Sequence, residues 1–498
     1  MKFTELPDYD LPGGTVTEWT PVAATDPAQW DDDARPLTYE HEDHIIRAAR
    51  ALDRGDAESS WLGAVFVIDR RLDEDALERA LLTWVRRHEA FRTTVSSVGA
   101  GSTVQVARRT ASAETISIRR QPARTVGADS IHAHLVDSFD SRLSPLVWPP
   151  CTVTTISDTD RYRDDGFLLV FAADHSVMDA YSMFLSINEL RTMYDAEVDG
   201  TEHGLPPIGS HVDFSAVNRR SGEELPADHL AVARWRRLLE ATGGRLPGLD
   251  LPLIDPPAAI GPLPENAREV DDRQHGWAQV VATADQMSAL GAMCRAAGHS
   301  TQAAVIAALA LANQELTGSS CLRAVMPMHT RHEAQFVESV GWYVGLGPLQ
   351  VDLTGAATIS DALAAAAAGI AEAKQTSRLP YPRIAQLLGT SAEPEFVVSY
   401  LDLRFVPGAS NWPRWQAQTL RGTSRSDTEV YLWVARTPTG LTVSTRHPGT
   451  ATAAASVRLL IDTASAIVAS VLGTRLPDRS GGMFDADPMT AGTERQPA

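Results

Sequence analysis

Apolar residues run without interruption from Phe167 to Ala173 and stop at Asp174 and His175. A short continuous run of this kind predicts a buried strand. Asp179 follows four residues after the histidine, and a helical pattern begins there. The segment therefore reads as a strand that delivers one imidazole at its tip, just before a helix. Trp61 to Ile68 reads as another strand. Asp73 then stands where an N-cap belongs, and Leu77, Leu81, Trp84, Val85 and His88 recur at helical spacing, which predicts a helix with one buried face. Phe91 to Val95 and Thr103 to Ala107 read as further strands.

Residues 243–264 break the pattern. Gly243, Gly244, Pro247, Gly248, Pro252, Pro256, Pro257, Gly261, Pro262 and Pro264 crowd into them, a density that no helix or central strand survives. Beyond this linker the opening pattern returns. Gly276 to Ala282 predicts a strand and Asp285 a helix cap, with Met287, Leu290, Met293 and Cys294 marking the buried face. Strand followed by helix on both sides of the seam predicts an α/β protein of two similar lobes, 36–242 and 265–475. Residues 1–35 read as an extended leader and 476–498 as a disordered polar tail.

Composition changes this picture only at the margins. The 498 residues are 44% hydrophobic and 21% charged, ordinary for a globular protein with a large core. A formal net charge of −19 argues against a nucleic-acid partner. Basic pairs such as Arg70-Arg71, Arg108-Arg109 and Arg219-Arg220 recur, and most are expected to be solvated helix ends and strand edges. Cys151, Cys294 and Cys321 are far apart and lack CxxC spacing, so neither a disulfide framework nor a zinc site is expected, and a reducing cytoplasm fits best. The start has no apolar core of a secretory signal, and no apolar run of about 18 residues is apparent, so no membrane insertion is expected.

The chemistry centres on His175. Imidazole is the side chain most easily poised as a base near neutral pH, and an apolar strand beside it favours the neutral form. An isolated histidine at a strand end is often only a core residue, so the motif needs support from elsewhere in the chain. Asp179 is expected to hold the loop by pairing with an arginine rather than to touch the ring. Ser176 and Ser182 flank the base outside any nucleophile-elbow pattern and read as structural. His88 and Glu89 read as packing and helix-end electrostatics. His329 and His332 do not match a metalloprotease motif. His41 and His44 would bind a metal only with further ligands, and no metal is expected.

Support comes from Arg87-His88-Glu89-Ala90-Phe91-Arg92-Thr93-Thr94. With the His-x-x-x-Asp segment it resembles two signature motifs of the condensation-domain superfamily, RHExLRTxF and HHxxxDG, in the same order and at a similar interval. Gly341 to Leu349 resembles a later segment of that family. Asp174 stands where the family has its first histidine and Ala180 where it has glycine. The asparagine of the later segment and a DFGWG-like stretch are missing. The leader, with Pro7-Asp8-Tyr9-Asp10-Leu11-Pro12 and Thr17-Glu18-Trp19-Thr20-Pro21, is similar to that of free-standing polyketide-associated acyltransferases.

The resemblance implies two chloramphenicol-acetyltransferase-like lobes in a V-shaped arrangement, with the active site in a tunnel between them. It implies His175 as general base and an acyl thioester on coenzyme A or a phosphopantetheinyl carrier protein as donor. A hydroxyl- or amine-bearing small molecule is the implied acceptor, with no permanently bound cofactor and no acyl-enzyme. Asp179 would be held by Arg331, with Arg92 as second candidate. Asp179 and Ala180 would contribute to the loop or to oxyanion binding, and Asp174, Trp342 and Tyr343 would line the tunnel. A stand-alone peptide-condensation enzyme shares this mechanism. A catalytically inactive recruitment domain is a further alternative.

Overall fold

The strand Phe167–Asp174 lies near the middle of a sheet and is buried along its whole length. Its residues alternate between two cores. Phe167, Leu169, Phe171 and Ala173 face one with Leu77, Leu81, Trp84, Phe184 and Ile187, from the helices Glu74–Arg87 and Ala180–Asp199. Leu168, Val170 and Ala172 face the other with Ile131, Leu135 and Phe139, from the helix Ala128–Arg142. A strand covered on both faces has no place for a polar residue, hence the uninterrupted apolar run. Burying each large side chain contributes about 1.5–3 kcal/mol, which makes this strand a stiff support for whatever follows it.

The computed structural model describes residues 2–55, 59–98, 105–159, 161–162, 166–255 and 273–473. Among them the first sheet has eight strands. Phe3–Glu5, Gln418–Arg421, Trp61–Ile68, Phe167–Asp174, Cys151–Ser157, Gly14–Ala23 and Ile116–Arg120 follow in spatial order, and Arg124–Val126 also pairs with Gly14–Ala23. The second sheet runs Ala278–Thr283, Gly440–Arg446, Val430–Thr437, Phe396–Asp402, Cys321–His329, Val344–Asp352. The helices Thr301–Thr317, Ile359–Thr376 and Ala451–Leu472 contribute to the core on one face of that sheet. Leu230–Ala241 and Tyr381–Leu388 pack on the other through Trp235, Tyr381 and Ile384, against Val325 and Val397. A small third sheet joins Asp32–Asp33, Gln105–Thr110 and Thr93–Val98.

Several expectations need correction. The leader is extended but not separate: Phe3–Glu5 and Gly14–Ala23 are strands of the first sheet, and Trp19 is buried in its core. The halves of the chain do not map cleanly onto the sheets either. Gln418–Arg421, from the second half, pairs antiparallel with Trp61–Ile68 and parallel with Phe3–Glu5. Gly63 lies in this crowded stretch, where a Cβ would come 2.2 Å from the Phe171 carbonyl oxygen. Asp73 caps its helix as expected, accepting from the Ala76 N–H at 2.9 Å. In the second half the cap is Thr283, not Asp285, in a capping box with Gln286. Residues 243–255 carry no helix or strand, while the rest of the linker up to Gly261, Pro262 and Pro264 lies outside the described residues, as does the tail 476–498.

One helix bears on the membrane expectation. Ala451–Leu472 is long and apolar enough by length and composition to cross a bilayer. Here it buries Val457, Leu460 and Ile461 in the second lobe's core. Cys151, Cys294 and Cys321 are free thiols.

Candidate active site

The strand pairing extends past Asp174. The Asp174 N–H donates to the Pro150 carbonyl at 2.8 Å and the His175 N–H to the Ser60 carbonyl at 3.0 Å, so the backbone of the histidine is still held by the sheet. Asp174 then acts as a cap: its Oδ1 accepts from the Ser176 N–H at 2.8 Å, and its Oδ2 accepts from the Ser60 hydroxyl. The chain makes one tight 3-10 turn, His175–Val177. Asp179 caps the following helix, accepting from the Ser182 N–H at 2.8 Å. Two aspartates therefore fix the turn from both ends and present the histidine between them.

Asp179 is fully engaged. Arg331 donates to both its oxygens, at 2.7 and 2.9 Å, and the Tyr343 N–H adds a third bond at 3.0 Å. The Asp179 N–H donates to the Gly341 carbonyl at 3.2 Å. The Ser182 hydroxyl donates to the same carbonyl at 2.9 Å and accepts from Arg331 at 2.8 Å. Burial alone would raise the Asp179 pKa, but the Arg331 guanidinium beside it brings it below the usual value. Gly341 has no room for a side chain, since a Cβ would lie 2.4 Å from the His211 ring. This network joins the helix of the first lobe to the loop 331–343 of the second.

Of the two arginines considered as partner, the structure therefore selects Arg331. Arg92 is directed elsewhere and donates to the Ala111 carbonyl at 2.6 Å.

A cavity of about 1300 Å³ is walled by both lobes. His175, Ala180, Trp61 and His44 contribute from the first, and Trp342, His329, Val397 and Tyr431 are among the residues from the second. The His175 ring packs on Trp342, with ring centroids 4.3 Å apart, and its Nδ1 is buried without a hydrogen-bond partner. Burial, and then the His44 ring, push its pKa below the ordinary 6.5. Both effects favour the neutral form of the ring. Ala180 also lines the cavity and has no positive φ, so alanine meets no backbone penalty where the motif has glycine.

Two expected lining residues do not reach the cavity. Asp174 is completely buried behind the turn, its charge consumed by capping. Tyr343 is buried with Phe214 and Phe336, and its hydroxyl donates to Ser339 at 2.9 Å. Only Trp342 of the three faces the space.

His44 was not legible as a site residue. The helix Tyr39–Arg54 brings its Nε2 to 3.6 Å from Asp174 Oδ1 and its ring against Trp342. Burial works to raise the Asp174 pKa, and the His44 ring, the Ser176 N–H and the Ser60 hydroxyl outweigh it, holding the carboxyl at about 2. The absent first histidine of the motif is thus matched by an imidazole from another helix, facing the aspartate that replaced it. Its one sequence signal was its i, i+3 spacing from His41, weighed there only as a metal-ligand pattern.

His88 is buried and joins the same frame. Its Nε2 lies 2.5 Å from Glu189, and its Nδ1 accepts from the Val340 N–H at 3.3 Å, which ties the first lobe to the loop carrying Gly341. Glu89 accepts from Arg35 at 2.8 Å and from the Ser210 hydroxyl. Both residues pack and position, as expected. Three arginines of the basic pairs depart from the solvated expectation and are paired within the chain: Arg70 with Asp195 and Asp199, Arg219 with Glu42, and Arg108 with backbone carbonyls and Ser215.

The arrangement of strand, capped turn and inter-lobe arginine is matched at the level of sequence, where residues 54–405 fit the Condensation domain family. The chain belongs to the condensation-domain family. Among its relatives, the acyltransferase PapA3 of Mycobacterium tuberculosis (strain CDC 1551 / Oshkosh) is 25% identical over 480 residues, covering 93% of this chain and 95% of that protein. The 2'-acyl-2-O-sulfo-trehalose (hydroxy)phthioceranyltransferase PapA1 of the same strain is 23% identical over 416 residues, 82% of this chain and 76% of that protein. The solved structure of the PapA2 acyl transferase superposes with a TM-score of 0.80 at 23% identity, covering 94% of this chain and 99% of that one. The condensation domain of the Monacolin K polyketide synthase MokA superposes with a TM-score of 0.66 at 18% identity, over 88% and 98%. This condensation-family member thus has the two-lobed α/β fold expected, and its named sequence relatives are acyltransferases.

Proposed function

We propose that this chain moves an acyl group from a thioester, on coenzyme A or a carrier protein, to a hydroxyl of a small acceptor in lipid biosynthesis. The observation that carries the reading is the placement of His175: a ring on the wall of a two-lobed cavity, its backbone held by the sheet, its Nδ1 unpartnered among the described residues and its pKa lowered by burial.

An alcohol is a weak nucleophile until a base removes its proton during attack. His175 supplies that base, an effect of roughly 10²–10⁴-fold. The oxygen then adds to the thioester carbonyl, the tetrahedral oxyanion collapses with cleavage of the C–S bond, and the leaving thiolate takes the proton back from the imidazolium, giving ester, free thiol and the neutral base. N–H groups at the start of the helix Ala180–Asp199 are the candidate oxyanion donors, where the helix dipole is positive. Ser176 is buried and bound into the turn, and Ser182 is locked between Arg331 and Gly341, which supports direct transfer without an acyl-enzyme. In this reading the cavity serves as a tunnel, with the long thin phosphopantetheine arm and the acceptor meeting at His175. A hydroxyl acceptor is favoured over peptide condensation because the relatives PapA3 and PapA1 are named as acyltransferases.

The test is a screen of acyl-coenzyme A thioesters of graded chain length, with and without candidate alcohols and amines, reading free-thiol release and product mass. Acceptor-dependent thiol release that yields an ester is expected. Release that requires an amine, or none from any coenzyme A or carrier thioester, overturns the proposal.

A further inference from the structure

Far along the chain from His175, the same cavity is lined by the cations Arg295 and Arg436, with Asp402 opposite Arg436 in the sheet register. Arg436 stands near the end of the strand Val430–Thr437 and is only 7% exposed. Its Nη1 donates to the Thr301 hydroxyl at 2.8 Å, while its Nε is buried without a partner. Arg295 reaches in from the helix Ala284–Ala296. The two guanidinium groups converge over Gly291. A Cβ at that glycine would lie 3.4 Å from Arg295 Nη1, 3.5 Å from Arg436 Nη2 and 3.6 Å from Thr301 Oγ1. Thr301 opens a 17-residue helix, whose positive end therefore points at the same spot. Ser300 and His299 also line the cavity there.

Arg436 is buried beside a helix N-terminus with its Nε unpaired, while Arg295 on the other side of Gly291 is exposed, so the buried charge is costly unless an anion joins it. The neighbouring acid does not serve: Asp402 is held by Arg404 through two bonds, at 2.8 and 2.7 Å. Among the described residues no carboxylate lies within ion-pair distance of Arg436 or Arg295. The missing side chain of Gly291 leaves room where a counter-charge would sit.

The geometry points to an anion subsite over Gly291, in which Arg295, Arg436, Thr301 and the helix N-terminus hold a sulfate or phosphate ester borne by a substrate. A tetrahedral oxyanion suits the arrangement, because guanidinium forks and helix-end N–H groups both match its oxygens. That the anion belongs to a substrate rests on the acyl-transfer reading. The subsite itself is read by binding, without turnover.

The experiment measures affinity calorimetrically on the full chain with two matched pairs of probes. Coenzyme A is compared with 3′-dephospho-coenzyme A, and trehalose-2-sulfate with trehalose. A preference of about tenfold or more for the anionic member of one pair is expected, and the pair that shows it tells whether donor or acceptor brings the anion. Arg436→Gln and Gly291→Ala should each abolish that preference. Gly291→Ala keeps both arginines and favours the helix, so it tests the space over the glycine without removing charge; melting curves establish that both variants are folded. Absence of a preference in both pairs, or a preference that survives either folded variant, overturns the proposal.

Discussion

Arg331 and Asp179 meet as a buried two-pronged ion pair across the lobes, with bonds of 2.7 and 2.9 Å between residues 152 positions apart. The pair sits one helical cap away from His175, so the geometry of the turn depends on it. Removing one partner of such a pair leaves the other charge buried and unmatched, at a cost of about 3–5 kcal/mol. Asp179→Asn should therefore lower the melting temperature and activity together. Arg331→Lys should lose the fork and follow in the same direction. Melting curves and acyl-transfer rates check this, and a fully stable Asp179→Asn protein with full turnover would refute the structural role.

His175→Ala should behave differently. Nδ1 of the ring has no hydrogen-bond partner and the ring lies on the cavity wall, so the fold should be kept while the rate drops by roughly 10²–10⁴-fold. The comparison needs the melting temperature and the thiol-release rate of the same preparation. Near-wild-type transfer by a folded His175→Ala protein would remove the histidine from the mechanism.

The pH profile follows from the same ring. Burial and the His44 ring lower the His175 pKa below 6.5, so the reactive neutral form dominates above that value. Activity should rise through an acidic limb centred below 6.5 and stay level through neutral pH. His44→Ala removes one of the two effects that depress the pKa, so the limb should move upward. Measuring kcat/KM from about pH 4 to 9 in both proteins decides the matter. A limb that stays in place would separate His44 from the base.

Stability should also fall in acid. His41 and His211 are buried and lowered, His211 to about 3, mainly by burial and then by Arg108. With His175 they bind fewer protons folded than unfolded below 6.5, so stability increases with pH there. Their contribution is present above 6.5 and is lost as pH falls through the lowered values. Asp174 and Asp179 act further down, below 3.8, with Asp174 persisting to about 2. Urea midpoints between pH 7.5 and 4 should decline steadily. A flat profile would contradict the buried neutral state of these rings.

Much of the site was legible because it is local. A short unbroken apolar run ending in Asp174 and His175 reads as a strand covered on both sides, and Asp179 at a helix start is a cap by its chemistry. Arg331 was expected as its partner. What sequence could not rank were contacts made by packing. Arg92 stood as second candidate to Arg331, and the fold sends it to the Ala111 carbonyl instead. His44 reaches Asp174 only because a helix from the start of the chain docks there. Asp174 and Tyr343 are adjacent to site residues in sequence, but strand and loop alternation turns them inward. The cation cluster over Gly291 draws on three separate elements, and no spacing announces it.

The strand Gln418–Arg421 has a consequence for synthesis on the ribosome. Until residue 421 has emerged, Trp61–Ile68 presents an unpaired edge and Phe3–Glu5 has nothing to pair with. The first half of the chain is therefore a sheet waiting for its last component, exposed in the interval to edge-to-edge pairing with other nascent chains. Dividing the gene at the proline-rich seam would make this condition permanent: the upstream product would carry His175 on an unfinished scaffold, and the downstream product would carry the strand that completes it.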